Sequence, residues 1–171
     1  SAVKYRRSHP HAQGFHRPPS SHRVRARMEK GQLTAWWHAF SSSHILFTGA
    51  AMPPWMQQVT LFVGDPGVAR GSALPYRCAQ QRTEYDLTRL SALTGPWRGL
   101  GAAPNQLAME SAVDECARAA RADPLEFRLR HLSLMAQPRL RAVLERVAGE
   151  ARWPLRPNRG GPGSPSILRG G

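Results

Sequence analysis

Between residues 22 and 28 apolar and polar positions alternate: Val24, Ala26 and Met28 fall on one side, Arg23, Arg25 and Arg27 on the other. A period of two describes a strand with one buried face. Lys30-Gly31 supplies a turn, and a β-rich run at 33–40, containing Trp36 and Trp37, continues the extended chain. The two segments are expected to form a hairpin. Residues 59–63 form a short apolar β-type run closed by the breaker cluster Gly64-Asp65-Pro66-Gly67, and 79–87 reads as a further strand. From Asn105 the period lengthens to about 3.6, with Met109, Val113, Cys116 and Ala120 on one face, which predicts a helix to about Ala122. Asp123-Pro124-Leu125-Glu126 then starts another helix. Asp123 serves as N-cap, Pro124 stands where a missing N–H is no loss, and Glu126 lies at the positive end of the dipole. Leu125, Leu129 and Leu132 are its expected buried stripe. A third helix, 138–150, is expected to bury Leu140, Val143, Leu144 and Val147. The fold class is α+β: a β-hairpin and short strands followed by about three helices.

Composition divides the chain further. Of 171 residues, 41% are hydrophobic, enough for one ordinary core, but 15 Gly and 15 Pro concentrate toward the ends. This sets the expected organisation: a basic, extended segment over 1–21, a folded part over 22–152, and a Pro/Gly/Arg-rich low-complexity tail over 153–171. The formal charge is +13, so the surface attracts anions, and between Ser1 and Lys30 eight basic residues face the single acid Glu29. A nucleic-acid-binding arm has this composition, as does a solvated or subunit-contacting segment, and no nucleic-acid-binding motif accompanies the charge. No run of 18 apolar residues offers a membrane span, and the N-terminal residues lack the hydrophobic core of a signal peptide. The compartment, cytoplasmic or periplasmic, is left open.

Candidate chemistry is sparse. Cys78 and Cys116 are far apart, and neither has a second Cys or His at ligand spacing, which argues against an iron–sulfur cluster or structural zinc; Cys116 is expected in the core. His9, His11 and His16 lack a Cys or carboxylate to complete a metal shell, and His38, His44 and His131 stand alone. There is no Gly-x-Ser-x-Gly elbow. Glu110 and Asp114 share a helix face at four-residue spacing, where a solvated face or a salt bridge to Arg118 and Arg121 is expected rather than a catalytic pair. The most informative segment is 94–101, TGPWRGLG. Two glycines one residue apart let the backbone approach a bulky or anionic ligand, Arg98 sits inside the bend, and the following helix offers unpaired N–H groups. It meets neither the Walker nor the dinucleotide fingerprint.

Residues 95–132, GPWRGLGAAPNQLAMESAVDECARAARADPLEFRLRHL, resemble the molybdopterin-binding large subunits of the xanthine dehydrogenase and aldehyde oxidase family, particularly the isoquinoline 1-oxidoreductase-like ones. Three landmarks occur in order: the Pro-x-Arg-Gly-x-Gly turn, a helix with an early Glu-Ser and an internal Asp-Glu, and the Asp-Pro-Leu-Glu-Phe-Arg helix start. The likeness extends upstream through Gly71-Ser72-Ala73-Leu74-Pro75-Tyr76 and through residues 14–38. It implies that residues 22–152 are part of a molybdopterin-binding domain. The implied cofactor is molybdopterin, in bacteria usually the cytosine dinucleotide, and the implied reaction is hydroxylation at carbon with oxygen from water, a glutamate serving as base. The implied partners are a [2Fe–2S] small subunit and a small-molecule substrate such as an aldehyde or N-heterocycle.

By the same resemblance Arg98, Gly99 and Gly101 belong beside the cofactor. Leu100 occupies the substrate-facing position where xanthine dehydrogenases keep a phenylalanine, and the usual Pro-Gln before Asn is replaced by Ala103-Pro104. The Gly-Gly-x-Phe-Gly loop upstream and the Gly-x-Gly-Glu segment downstream are absent, and the glutamate base with them. The chain is therefore expected to be a truncated or excised piece that needs the missing parts of the large subunit, retains no cofactor and is inactive alone. A basic nucleic-acid-binding protein and a non-catalytic assembly module are the other expectations.

Overall fold

The computed structural model describes residues 16–46, 53, 55, 56, 59, 63–88 and 94–153. Two compact units divide it, Ser1–His131 and Leu132–Gly171. Most of the expected basic arm, His9 and His11 with it, and most of the expected tail lie outside the described residues.

In the first unit β1 (Ser20–Glu29) and β2 (Gln32–Ser42) form the expected antiparallel hairpin. Glu29 pairs with Gln32, so Lys30-Gly31 is a two-residue turn, and both residues have positive φ, 49° and 74°. That is the condition for a turn whose twist matches the strands. The register shifts between Arg27 and Met28, which leaves Thr34 as an extra residue on β2. The bulge explains why Leu33 and Trp36, of opposite parity, are both buried. Beyond it the alternation is regular: Trp36, His38, Phe40 and Ser42 face inward, and the arginines of β1 face out.

Asp65 and Pro66 open a short helix, α1 (Pro66–Ala69), where the sequence reads as a strand-ending breaker. Val59 and Val63, at the ends of the expected strand 59–63, lie in helical backbone, and the residues between them are outside the described set. Periodicity cannot separate a short apolar strand from a helix, so five residues carried no decision. β3 (Gln80–Leu87) returns parallel to β2, giving the order β1-β2-β3.

Three helices follow, α2 (Ala102–Ala119), α3 (Pro124–His131) and, in the second unit, α4 (Pro138–Glu150). α2 begins three residues earlier than its period suggested. It lies against β1 and α3 and buries Asn105, Met109, Val113, Cys116 and Ala117. Asp123 caps α3 as expected, its Oδ1 accepting the N–H groups of Leu125 (2.8 Å) and Glu126 (3.1 Å). The buried face of α3 is Phe127 and His131, not Leu125 and Leu129, which are half-buried. α4 buries none of its residues, contrary to the stripe expected of it; Val143 and Val147 are 57% and 60% exposed.

Candidate functional site

The Gly-rich bend is present and leads directly into α2. It reverses the chain through two consecutive left-handed residues, Gly99 at φ 86° and Leu100 at φ 53°. A Cβ on Gly99 would meet nothing within 4 Å, so its outer side is open. Gly101 is the opposite case. A Cβ there would collide with the Val68 carbonyl oxygen and lie 2.8 Å from that of Gly67, while the Gly101 N–H donates to the Gly67 carbonyl at 2.9 Å. Glycine at 101 is thus required because the bend is pressed backbone to backbone on α1.

Side chains pin this contact. The buried Asn105 amide donates to the carbonyls of Val68 and Arg70, both at 2.9 Å, and the Gln106 amide donates to Gly71 at 3.0 Å. α1 is anchored in turn by Asp65, which is fully buried. Its Oδ2 accepts the N–H groups of Ile45 (2.8 Å) and Leu46 (2.9 Å), its Oδ1 that of Gly67 (2.8 Å), and the His44 ring stands 3.6 Å away. Before the bend, Thr94 pairs with His16 and the Gly95 N–H donates to the His16 carbonyl at 3.1 Å.

The expected site residues divide by exposure. The bend brings Arg98 and Gly99 to an exposed crest, whereas Gly101 is buried. Leu100 is half-buried and packs on the cluster of Phe40, Ile45 and Val68. Clefts of about 450, 520 and 270 Å³ among the described residues are lined by other residues, and Arg98 lines none of these. The 450 Å³ cleft lies on the outer sheet face between Arg25, Arg27 and Arg82, with the Arg25 guanidinium 5.0 Å from the Trp37 ring centre.

Glu110 and Asp114 form an ion-pair network, but with Arg128 of α3 rather than with Arg118 or Arg121. Arg128 donates to Asp114 at 2.6 Å and to Glu110 at 2.8 and 2.9 Å, and the Tyr76 hydroxyl donates to Glu110 at 3.0 Å. Burial alone would lower the Arg128 pKa; the two carboxylates outweigh it and hold the guanidinium protonated beyond its ordinary range. Burial, then Glu110, pushes the Tyr76 phenol up. The single guanidinium bridges both carboxylates, so this network joins α2 to α3. His131 is another lock: Nδ1 lies 2.7 Å from the Phe127 carbonyl and must donate to it, so Nε2 is the acceptor for the Leu33 N–H at 3.1 Å.

His22 carries no signal of its own in the sequence, and His38 stands alone there. The fold pairs them across β1 and β2, His22 Nδ1 to His38 Nε2 at 3.1 Å, with Ser20 Oγ 2.8 Å from His22 Nε2. Burial, and for His22 then His38, lowers both pKa values; the Ser72 backbone opposes the shift at His38. Strand parity put both rings on one face and was the available signal. Cys116 is buried as expected and its thiol is pushed up by burial. Among the described residues no group of three or more His, Cys, Asp or Glu could hold a metal ion, and no helix is long and apolar enough to cross a membrane.

A scan against models of known protein families finds no match. The chain is 39% identical over 92 residues to the beta chain of isoquinoline 1-oxidoreductase of Brevundimonas diminuta, covering 54% of this chain and 12% of that protein. It is 40% identical over 112 residues to the B subunit of nicotinate dehydrogenase of Pseudomonas putida, covering 64% of this chain and 8% of that one. It therefore spans only about a tenth of the length of these relatives. Its fold matches that of aldehyde oxidoreductase from Desulfovibrio gigas with a TM-score of 0.57 at 20% identity, over 80% of this chain and 15% of that one. Together these likenesses support membership of the chain in the molybdopterin-binding xanthine dehydrogenase and aldehyde oxidase family.

Proposed function

We propose that this chain contributes one wall of the molybdopterin site in the large subunit of a molybdenum hydroxylase that acts on an aldehyde or N-heterocycle. The observation that carries the reading is the bend itself. It is held rigidly on α1 at Gly101, lacks a side chain at Gly99, and raises the permanent cation of Arg98 on its exposed crest. Such a crest fits a large anionic group: Gly99 permits close backbone approach, and Arg98 supplies charge and several donors to phosphate or oxo oxygens. When bound, the cofactor supplies the redox chemistry that hydroxylates carbon with oxygen from water. In bacterial enzymes it would be the cytosine dinucleotide form. Arg98 and Gly99 would hold it from this side, the buried Gly101 seating the bend on α1 behind them, and Leu100 would offer substrate an aliphatic edge where a stacking ring is otherwise kept. The remaining loops, the carboxylate base and the [2Fe–2S] electron acceptor would come from the rest of the large subunit and its partner.

Co-expression tests this. Alone, the chain is expected to carry no stoichiometric molybdenum and to oxidise neither aldehydes nor N-heterocycles. Both properties should appear when a complementary large-subunit piece and an iron–sulfur subunit are supplied, and Arg98→Ala should diminish them. Stoichiometric molybdenum and turnover in the isolated chain would defeat the claim of insufficiency, and an unaffected Arg98→Ala assembly would defeat the role of the crest.

A second reading has its own observation, the cleft where Arg25, Arg27 and Arg82 surround Trp37 on a chain of net charge +13. Guanidinium groups beside an aromatic ring are a single-stranded nucleic-acid-binding arrangement. Filter binding at near-physiological salt decides it: tight binding with a steep salt slope favours this reading, and negligible binding removes it.

A further inference from the structure

The residue that shapes the crest comes from the other end of the unit. Arg17, just before β1, reaches across to the bend; its guanidinium donates to the Leu100 carbonyl at 2.5 Å and to the Arg98 carbonyl at 3.2 Å. Its neighbour His16 holds the start of the same bend through Thr94 and Gly95. Leu100 is left-handed, a conformation that is sterically costly for an L-residue with a side chain. Leu100 is also one of the two residues whose carbonyl Arg17 grips.

The hydrogen bonds of the bend are strongly one-sided. The carbonyl of Trp97 accepts from Leu100, that of Gly99 from Ala102, that of Gly101 from Asn105, and Arg17 takes those of Arg98 and Leu100. Every carbonyl from 97 to 101 is thereby occupied. The N–H groups of Arg98 and Gly99 have no hydrogen-bond partner among the described residues. A surface whose carbonyls are each already engaged and whose unengaged groups are N–H donors favours an anion.

We propose that Arg17 is the positioning residue of this bend: it fixes the left-handed turn and engages the carbonyls of Arg98 and Leu100, so that Arg98 and the neighbouring N–H groups present a donor-rich face to an anionic ligand. A fork of planar N–H donors can grip two carbonyls at once with fixed geometry, which the point charge of a lysine cannot. That the ligand is the pterin cofactor rests on the function proposed above; the grip on the bend does not.

Amide hydrogen exchange on this chain tests the grip. Arg17→Ala should speed exchange at Leu100, Gly101 and Ala102 by roughly 10- to 100-fold, the loss of two charge-assisted hydrogen bonds, while Met109 and Val113 inside α2 keep their protection. Arg17→Lys should recover only part of it, and Arg23→Ala, which removes an exposed arginine of the same hairpin, should leave the bend unchanged. Exchange at the bend unaltered in Arg17→Ala, or fully restored by lysine, overturns the proposal. Molybdenum content of the co-expressed assembly then separates the two layers. Depletion in Arg17→Ala with partial recovery in Arg17→Lys supports both. A loosened bend with full molybdenum retains the positioning role and overturns the cofactor reading. A wild-type bend with depleted molybdenum overturns the positioning role.

Discussion

Replacing Asn105 by alanine should destabilise the first unit more than any surface change, and the size follows from its surroundings. The side chain is 1% exposed, and its Nδ2 makes two hydrogen bonds of 2.9 Å to the carbonyls of Val68 and Arg70. Each such bond contributes about 1 kcal/mol net, and a buried carbonyl stripped of its donor adds a desolvation penalty of about 1–3 kcal/mol. Arg70 is at the surface, where water can replace the lost donor, so the full penalty applies only at Val68. The expected loss is about 2–4 kcal/mol, a large fraction of the roughly 5–15 kcal/mol typical of a domain. In urea, with a slope near 2 kcal/mol/M, the midpoint should fall by about 1–2 M. Asn105→Asp is the decisive companion. At neutral pH it keeps the shape but points carboxylate oxygens at two carbonyls, so it should be worse than alanine. A midpoint shift of only a few tenths molar in Asn105→Ala, or an Asn105→Asp variant as stable as the alanine one, would refute the donor role on which the attachment of the bend depends.

Three further outcomes are expected. Gly101→Ala should cost about 3 kcal/mol, because all three atoms it strikes belong to backbone, whereas Gly99→Ala, left-handed but in open space, should cost about 1–2 kcal/mol; equal losses in urea melts would contradict the contact with α1. His22 and His38 are both held below the ordinary histidine value of 6.5, so the folded state binds fewer protons than the unfolded one just below that pH. The stability they support is complete above about pH 6.5 and is lost as pH falls through their lowered folded values; a Tm profile from pH 7.5 to 5 should decline, and His38→Phe should flatten it. Tyr76→Phe, which removes the hydroxyl bonded to Glu110 inside the Arg128 network, should lower stability by about 1 kcal/mol in the same urea assay, and an unchanged midpoint would make that bond incidental.

What could be read from the sequence was whatever depends on near neighbours. The hairpin follows from an alternation interrupted by Lys30-Gly31, and the start of α3 from Asp123 and Pro124, because strand parity and helix caps are decided within a few residues. What could not be read depends on distant ones. Leucines at 125 and 129 and the pair Phe127 and His131 both have the four-residue spacing of a helical face; the second is the buried one, and His131 there accepts the Leu33 N–H of β2, a partner periodicity does not show. Arg128 rather than the adjacent Arg118 or Arg121 reached Glu110 and Asp114 because α3 lies beside α2. Asp65 was read as part of a breaker because its cap and its two amides at 45 and 46 are brought together only by the fold. The apolar stripe of α4 is real in the sequence, yet Val143 and Val147 stand exposed within the second unit, so periodicity identified the helix and not its burial.

The bend itself was legible as a motif, but not the reason it is rigid. One carbonyl, that of Val68, explains both the missing side chain at 101 and the amide at 105. Four residues apart, these positions share a helix face, so the first turn of α2 is seated on α1 by a close backbone contact and a hydrogen bond to the same oxygen. Arg17 acts at other points of the turn, carbonyls 98 and 100. Held by both sets of contacts, the crest need not be ordered by whatever it receives, and the entropy of fixing a glycine-rich loop is settled on folding rather than on binding. Such preorganisation is what a segment needs if it is to contribute one wall of a site whose other walls lie elsewhere in the chain's longer relatives.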